Sequence, residues 1–164
     1  MKYSDIINNR KWNWIDVDKR KLKSEKILVP RKAGLYLIYT NAPIDIFNSL
    51  KTLSIKGAVD IGARTNNSLN IDSGLLIKEN TENSYCVYIG HHNSLNQRLK
   101  EHFLGSKGTG CLSLFKHKKL IKYKWRFYYL ETSKLENCMD SNLLRTILEN
   151  NLKTHIGWPI LCAR

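Results

Sequence analysis

The sequence predicts an α+β fold, with a small central antiparallel β-sheet of at least three strands flanked by helices. Gly34 to Thr40 (GLYLIYT), Tyr85 to Gly90 (YCVYIG) and Lys124 to Leu130 (KWRFYYL) are short runs rich in β-branched and aromatic residues, which suit a pleated surface. Two longer stretches, from Ser94 to near Gly105 and from about Ser141 to Thr154, repeat their apolar residues every three or four positions, as amphipathic helices do. The two patterns alternate within 164 residues, of which 42% are hydrophobic and 10% aromatic. That is enough apolar material for one ordinary core and too much for a disordered chain. A single domain over 1–164 is expected, with a basic N-terminal arm over 1–30 and a core over 31–164.

The first thirty residues mix charge with Trp12 and Trp14 and end in Pro30-Arg31-Lys32-Ala33-Gly34, which reads as a basic arm or short helix turning into the first core strand. Ala42 to Ile55 places Ile46, Phe47, Leu50 and Leu53 at helical spacing behind Pro43, so a short amphipathic helix is expected there. Gly74 to Lys78 and Tyr85 to Gly90 flank the polar turn Glu79 to Asn83 and suggest a hairpin. Ser94-Leu95-Asn96-Gln97 has the form of a capping box, opening a helix with Leu95, Leu99 and Phe103 on one stripe. Asp140 can cap the last helix, whose stripe is Leu144, Ile147, Leu148 and Leu152, and Gly157 and Pro159 stop it.

No run approaches the roughly 18 to 20 apolar residues that cross a bilayer, and the N-terminus lacks the apolar core of a signal peptide, so a cytoplasmic location is expected. Cys86, Cys111, Cys138 and Cys162 are scattered without a CxxC pair and are expected as free thiols. Lys plus Arg number 27 against 14 Asp plus Glu, a net charge of +13, which points to a polyanionic partner. Between His91 and Tyr128 nine basic residues meet a single acid, Glu101. Lys107, Lys116, Lys118, Lys119 and Lys122 in this stretch are the candidate phosphate contacts. Charge alone does not separate an enzyme from a passive binder.

Arg98 and His102 stand four apart, hence on one face of the capped helix. Arg offers a planar fork of donors and His can move a proton near neutral pH, a pair suited to phosphate chemistry. With Gly34-Leu35-Tyr36, Tyr88-Ile89-Gly90, an Arg ten residues after the second tyrosine, a His four beyond it and a Glu in a later helix, the sequence resembles the GIY-YIG nuclease family over about 30–164. The segments YIGHHNSLNQRLKEH and LLRTILENNLKTHIGWPIL carry the likeness. It implies an endonuclease that hydrolyses double-stranded DNA with Mg²⁺ (or Mn²⁺). Glu149 would hold the cation, Arg98 would contact the scissile phosphate and its water, Tyr36 and Tyr88 would surround the nucleophile, and His102 would assist deprotonation. His91 would touch phosphate. Which tyrosine takes the proton stays open.

Two features depart from the family pattern. The tyrosines stand 52 residues apart instead of roughly ten. Either an insertion of about 41–84 separates the two strands, which the better match of GLYLIYT favours, or the first strand is Gly74-Leu75-Leu76 with Leu76 in the tyrosine's place. An Asn expected three residues after the proline is Cys162, a poorer hydrogen-bonding group. A restriction-type enzyme is expected, because homing members usually append a DNA-binding region; repair or homing roles are alternatives, as is a catalytically impaired DNA-binding module. A homodimer on DNA is possible on either path. A third reading, RNA binding, would use Trp12, Trp14 and Trp125 as stacking surfaces.

Overall fold

Among the described residues four strands pair antiparallel in the order β1-β4-β2-β3, and helices cover both faces of the sheet they form. The computed structural model describes residues 12–23, 27–70, 76–77, 84–106, 109–136 and 139–162. In chain order these give β1 (Asn13–Asp16), α1 (Lys19–Lys23), β2 (Gly34–Thr40), α2 (Ile44–Asn48), α3 (Ile61–Leu69), β3 (Tyr85–His92), α4 (Leu95–Leu104), β4 (Trp125–Glu131) and α5 (Asn142–Ile156), with short 3₁₀ turns at Leu114–Lys116, Lys118–Leu120 and Thr132–Lys134. The α+β class and the antiparallel sheet agree with the sequence reading. No helix among the described residues is long and apolar enough to cross a membrane.

Strand β2 is apolar along almost its whole length because it lies between two neighbours and under two layers of helix. Successive side chains point to opposite faces. Leu35 and Leu37 meet Trp12, Leu130, Leu148 and Leu152 on the α5 side. Tyr36 and Ile38 meet Phe127, Leu95, Leu99 and Phe103 on the α4 side. The register between β2 and β3 shifts at Ile38/Tyr39: Ile38 faces Tyr88 and Tyr39 faces Cys86, so Val87 is an extra residue. Its carbonyl, released from the ladder, accepts the Leu161 N–H at 3.0 Å and so ties the C-terminal turn to β3.

The helix ends follow local chemistry, with corrections. Ser94 Oγ accepts the Gln97 N–H at the start of α4, but the capping box is only half formed, since Gln97 Nε2 reaches Glu101 Oε1 at 2.8 Å instead. Ser141, not Asp140, caps α5 by accepting from Leu144 N. Asp140 is taken by Arg145, a 5% exposed guanidinium that needs a counter-charge, and by Thr132 Oγ1. Ile147 is 48% exposed and leaves the stripe to Leu144, Leu148 and Leu152.

Other differences lie before β3. Asn13–Asp16, read as arm, is an edge strand on β4; four residues with Trp14 and Ile15 adjacent show no alternation to signal it. The helix expected over Ala42 to Ile55 stops at Asn48. Helix α3 escaped notice because its buried residues are Ile61, Gly62, Thr65 and Ser68, which form no apolar stripe. Asp60 caps it from Ala63 N at 2.9 Å. The expected 74–90 hairpin is not the pairing of β3, whose ladder partner is β2. Leu76 instead bridges Trp158; 71–75 and 78–83 lie outside the described residues.

Candidate active site

Two glycines explain how β2 and β3 bring their tyrosines together. Gly34 packs so closely on β4 that a Cβ there would lie 2.1 Å from the Leu130 carbonyl oxygen. Gly90 is directly opposite Tyr36, and a Cβ at Gly90 would lie 2.4 Å from the Tyr36 hydroxyl. The absence of a side chain at Gly90 leaves room for the Tyr36 ring across β3, where it stacks on Tyr88 at 6.0 Å between centroids. The Tyr36 side chain is 1% exposed, and Tyr88 is half-buried on the edge strand.

Helix α4 delivers the next two groups. Leu95, Leu99 and Phe103 anchor it to the sheet and turn Arg98 and His102 toward the tyrosines. His102 is completely buried. The Leu112 N–H donates to its Nδ1 at 3.3 Å, which leaves the ring hydrogen on Nε2 to donate to Tyr36 Oη at 2.8 Å. Arg98 Nε–H donates to the same Oη at 3.3 Å. Burial and the nearby guanidiniums of Arg98 and Arg64 hold the His102 ring well below its ordinary pKa, hence neutral. Burial likewise pushes the Tyr36 phenol well up and Tyr88 up, although Arg98 opposes both shifts.

Glu149 comes from α5, on the other side of β3. Its Oε2 accepts from His91 Nδ1 at 2.7 Å and its Oε1 from the ammonium of Lys153 one turn on. Burial pushes the carboxyl upward, but the hydrogen bonds from His91 and Lys153 outweigh it and hold the group below 4.5. The negative charge is felt at both phenols. His91, expected at a phosphate, is thus bound to Glu149, and its Nε2 lies 3.3 Å from Asn142 Oδ1. Among the described residues no group of three or more His, Cys, Asp or Glu could surround a metal. A divalent cation here would rest on one carboxylate and water, a shell that Mg²⁺ accepts, and would take over the charge-compensating place of Lys153. Both Glu149 oxygens are engaged by His91 and Lys153, so an ion would take the place of one of these contacts.

The other candidates divide. Lys116, Lys118, Lys119 and Lys122 are exposed on and just after the 3₁₀ turns, where Lys119 Nζ donates to Ser49 Oγ at 3.3 Å and Lys122 lies 5.1 Å from the centre of the Tyr123 ring. Lys107 and Cys138 lie outside the described residues. Cys86, Cys111 and Cys162 are free and buried, as expected. Cys162 Sγ accepts from Ile89 N and donates to Ile89 O, both at 3.3 Å, so it pairs with the β3 backbone much as another strand would. Trp12 and Trp125 are core residues, which removes two of the three proposed stacking surfaces; Trp14 is half exposed beneath Arg126, 4.3 Å away.

A concavity of about 1250 Å³ lies away from the tyrosines, at the Thr40 end of β2, where Lys19, Lys21, Lys122, Lys124 and Arg126 line it. Asp16, paired with Arg126 at 3.1 Å, and Asp18 are the acids of its lining, which is otherwise strongly basic. Sequence reasoning also missed Lys153 and Arg64. The spacing of four from Glu149 signals Lys153; nothing in the pattern around Arg64 signals it.

Residues 74–153 match the family model of the GIY-YIG catalytic domain. The matched span holds Tyr88, Arg98, His102 and Glu149, and begins at the nearer Gly-Leu-Leu instead of at Gly34. No curated protein and no solved structure matches the chain.

Proposed function

The chain belongs to the GIY-YIG nuclease superfamily, and from that premise we propose that it is a restriction-type endonuclease hydrolysing phosphodiester bonds of double-stranded DNA with a divalent cation. One observation carries the proposal: Tyr36, Tyr88, Arg98 and His102, drawn from three elements and up to 66 positions apart in the chain, converge around one phenol oxygen and one stacked ring pair. We read 41–84 as an insertion between the two tyrosine strands, in keeping with the pairing of β2 with β3.

In this reading Tyr36 is a fixed group, its oxygen accepting hydrogens from His102 and Arg98. Tyr88, the more exposed phenol, faces the attacking water and guides its proton. His102 stays neutral and holds Tyr36 in place, with no part as a free base. Glu149, anionic at neutral pH, would hold Mg²⁺ or Mn²⁺ together with water. When bound, the cation would neutralise charge on the phosphate under attack. Plasmid cleavage tests this. Wild-type protein is expected to cut with Mg²⁺, and Glu149→Ala to lose cleavage while retaining duplex binding, because removing a carboxylate does not weaken attraction for phosphate.

A second reading, a DNA-binding module without activity, draws on the engagement of both Glu149 oxygens by His91 and Lys153. Duplex binding without cleavage in either Mg²⁺ or Mn²⁺ would favour it.

A further inference from the structure

We propose that Arg64, carried on α3 between the two tyrosine strands, supplies the guanidinium fork that grips a DNA phosphate at this site, while Arg98 works inside the protein on Tyr36. The inference rests on the nuclease reading above and adds a phosphate-contacting residue to it.

Arg98 has little left to offer a ligand. Its Nε donates to Tyr36 Oη, its Nη1 to Glu101 Oε2 at 3.0 Å and to the Thr109 carbonyl at 2.9 Å, and its Nη2 to the Gly110 carbonyl at 3.5 Å. All three nitrogens are engaged, and Glu101 already balances the charge. Arg64 is the opposite case. Among the described residues its one hydrogen bond runs from Nη1 to the Leu161 carbonyl at 3.1 Å, and no carboxylate pairs with it. A guanidinium has five donors in a rigid plane, so most of this one remains available to phosphate oxygens.

Arg64 is also in the right place. Leu161 donates its N–H to Val87 O, next to Tyr88, and the following Cys162 holds both backbone groups of Ile89. The guanidinium therefore sits on the turn that backs Tyr88. Its charge bears on Tyr88, His102 and Cys162 alike. The helix beneath it is docked independently, since Ser68 Oγ donates to Ile160 O at 2.9 Å. Half-buried Arg64 thus presents a fixed positive group beside the more exposed tyrosine.

The test measures duplex binding against salt without divalent metal, and cleavage with Mg²⁺. In Arg64→Gln, which keeps a donor for Leu161, the slope of log affinity against log salt should fall by about 0.9, the loss of one phosphate contact. Cleavage should fall on the order of tenfold to hundredfold. Ser68→Ala loosens the same helix without removing charge and should keep the wild-type slope. A wild-type slope and rate in Arg64→Gln would overturn the proposal, and so would Ser68→Ala reproducing the Arg64→Gln slope. If the wild-type protein neither binds nor cuts duplex DNA, the nuclease reading itself fails and takes this one with it.

Discussion

The Tyr36 hydroxyl accepts two hydrogen bonds in a place with almost no water, from a neutral imidazole and from a guanidinium. The neutral state of His102 carries a pH signature. Its folded pKa is depressed below the ordinary 6.5, so folding gains nothing from it above that value, and below it the unfolded chain takes up a proton that the folded chain refuses. Stability should therefore fall as pH drops from about 6.5 toward 5, by at most about 1.4 kcal/mol per pH unit from this one group. Thermal melts at pH 7 and pH 5 should show a smaller drop for His102→Asn than for wild type, and equal drops would mean that the ring is not held neutral. That Tyr36, Tyr88, Arg98 and His102 lie together could be read from the sequence, because motif glycines and a helical spacing of four mark them, whereas Glu149 entered only through the family resemblance. The engagement of His91 by Glu149 could not be read there, since it depends on how closely α5 approaches β3.

At the level of elements, the strands could be read because β2, β3 and β4 are dense in β-branched and aromatic residues, and α4 because Ser94 and Gly105 mark its ends. Helix α3 could not, because a helix that packs through Gly62, Thr65 and Ser68 looks polar in one dimension. The start of α5 was misread by one residue for a tertiary reason: the better capping acid is drawn off by Arg145. The two residues should therefore differ under substitution. Ser141→Ala should cost about 1 kcal/mol, the loss of a cap. Asp140→Ala should cost more, about 2 to 3 kcal/mol, because it strands a buried guanidinium; the partly exposed carboxylate keeps it at the lower end for such pairs. Urea denaturation of both variants checks this, and a larger loss for Ser141→Ala would return the cap to Asp140.

At the scale of the whole molecule, two concentrations of positive charge are found among the described residues, on the turns after α4 and in the cleft beside α1. If the turns meet the DNA backbone, reversing Lys116, Lys118 and Lys119 to Glu should flatten the salt dependence of binding by about three phosphate contacts' worth. An unchanged slope would move the duplex to the cleft of Lys19 and Lys122. The sequence made the total charge plain but not this division, which arises from where β1 and β4 end. The pairing of β2 with β3 across the 44 residues from Asn41 to Ser84 also bears on how the protein assembles. Closing a loop of that length costs about 2 kcal/mol more in chain entropy than closing a four-residue hairpin. Contacts so distant along the chain form slowly, and the docking of α3 through Ser68 and Arg64 onto residues 160 and 161 must await the C-terminal turn. The stacked tyrosines thus depend on contacts far apart along the chain, and α3 takes its place beside them only once residues 160 and 161 are in position.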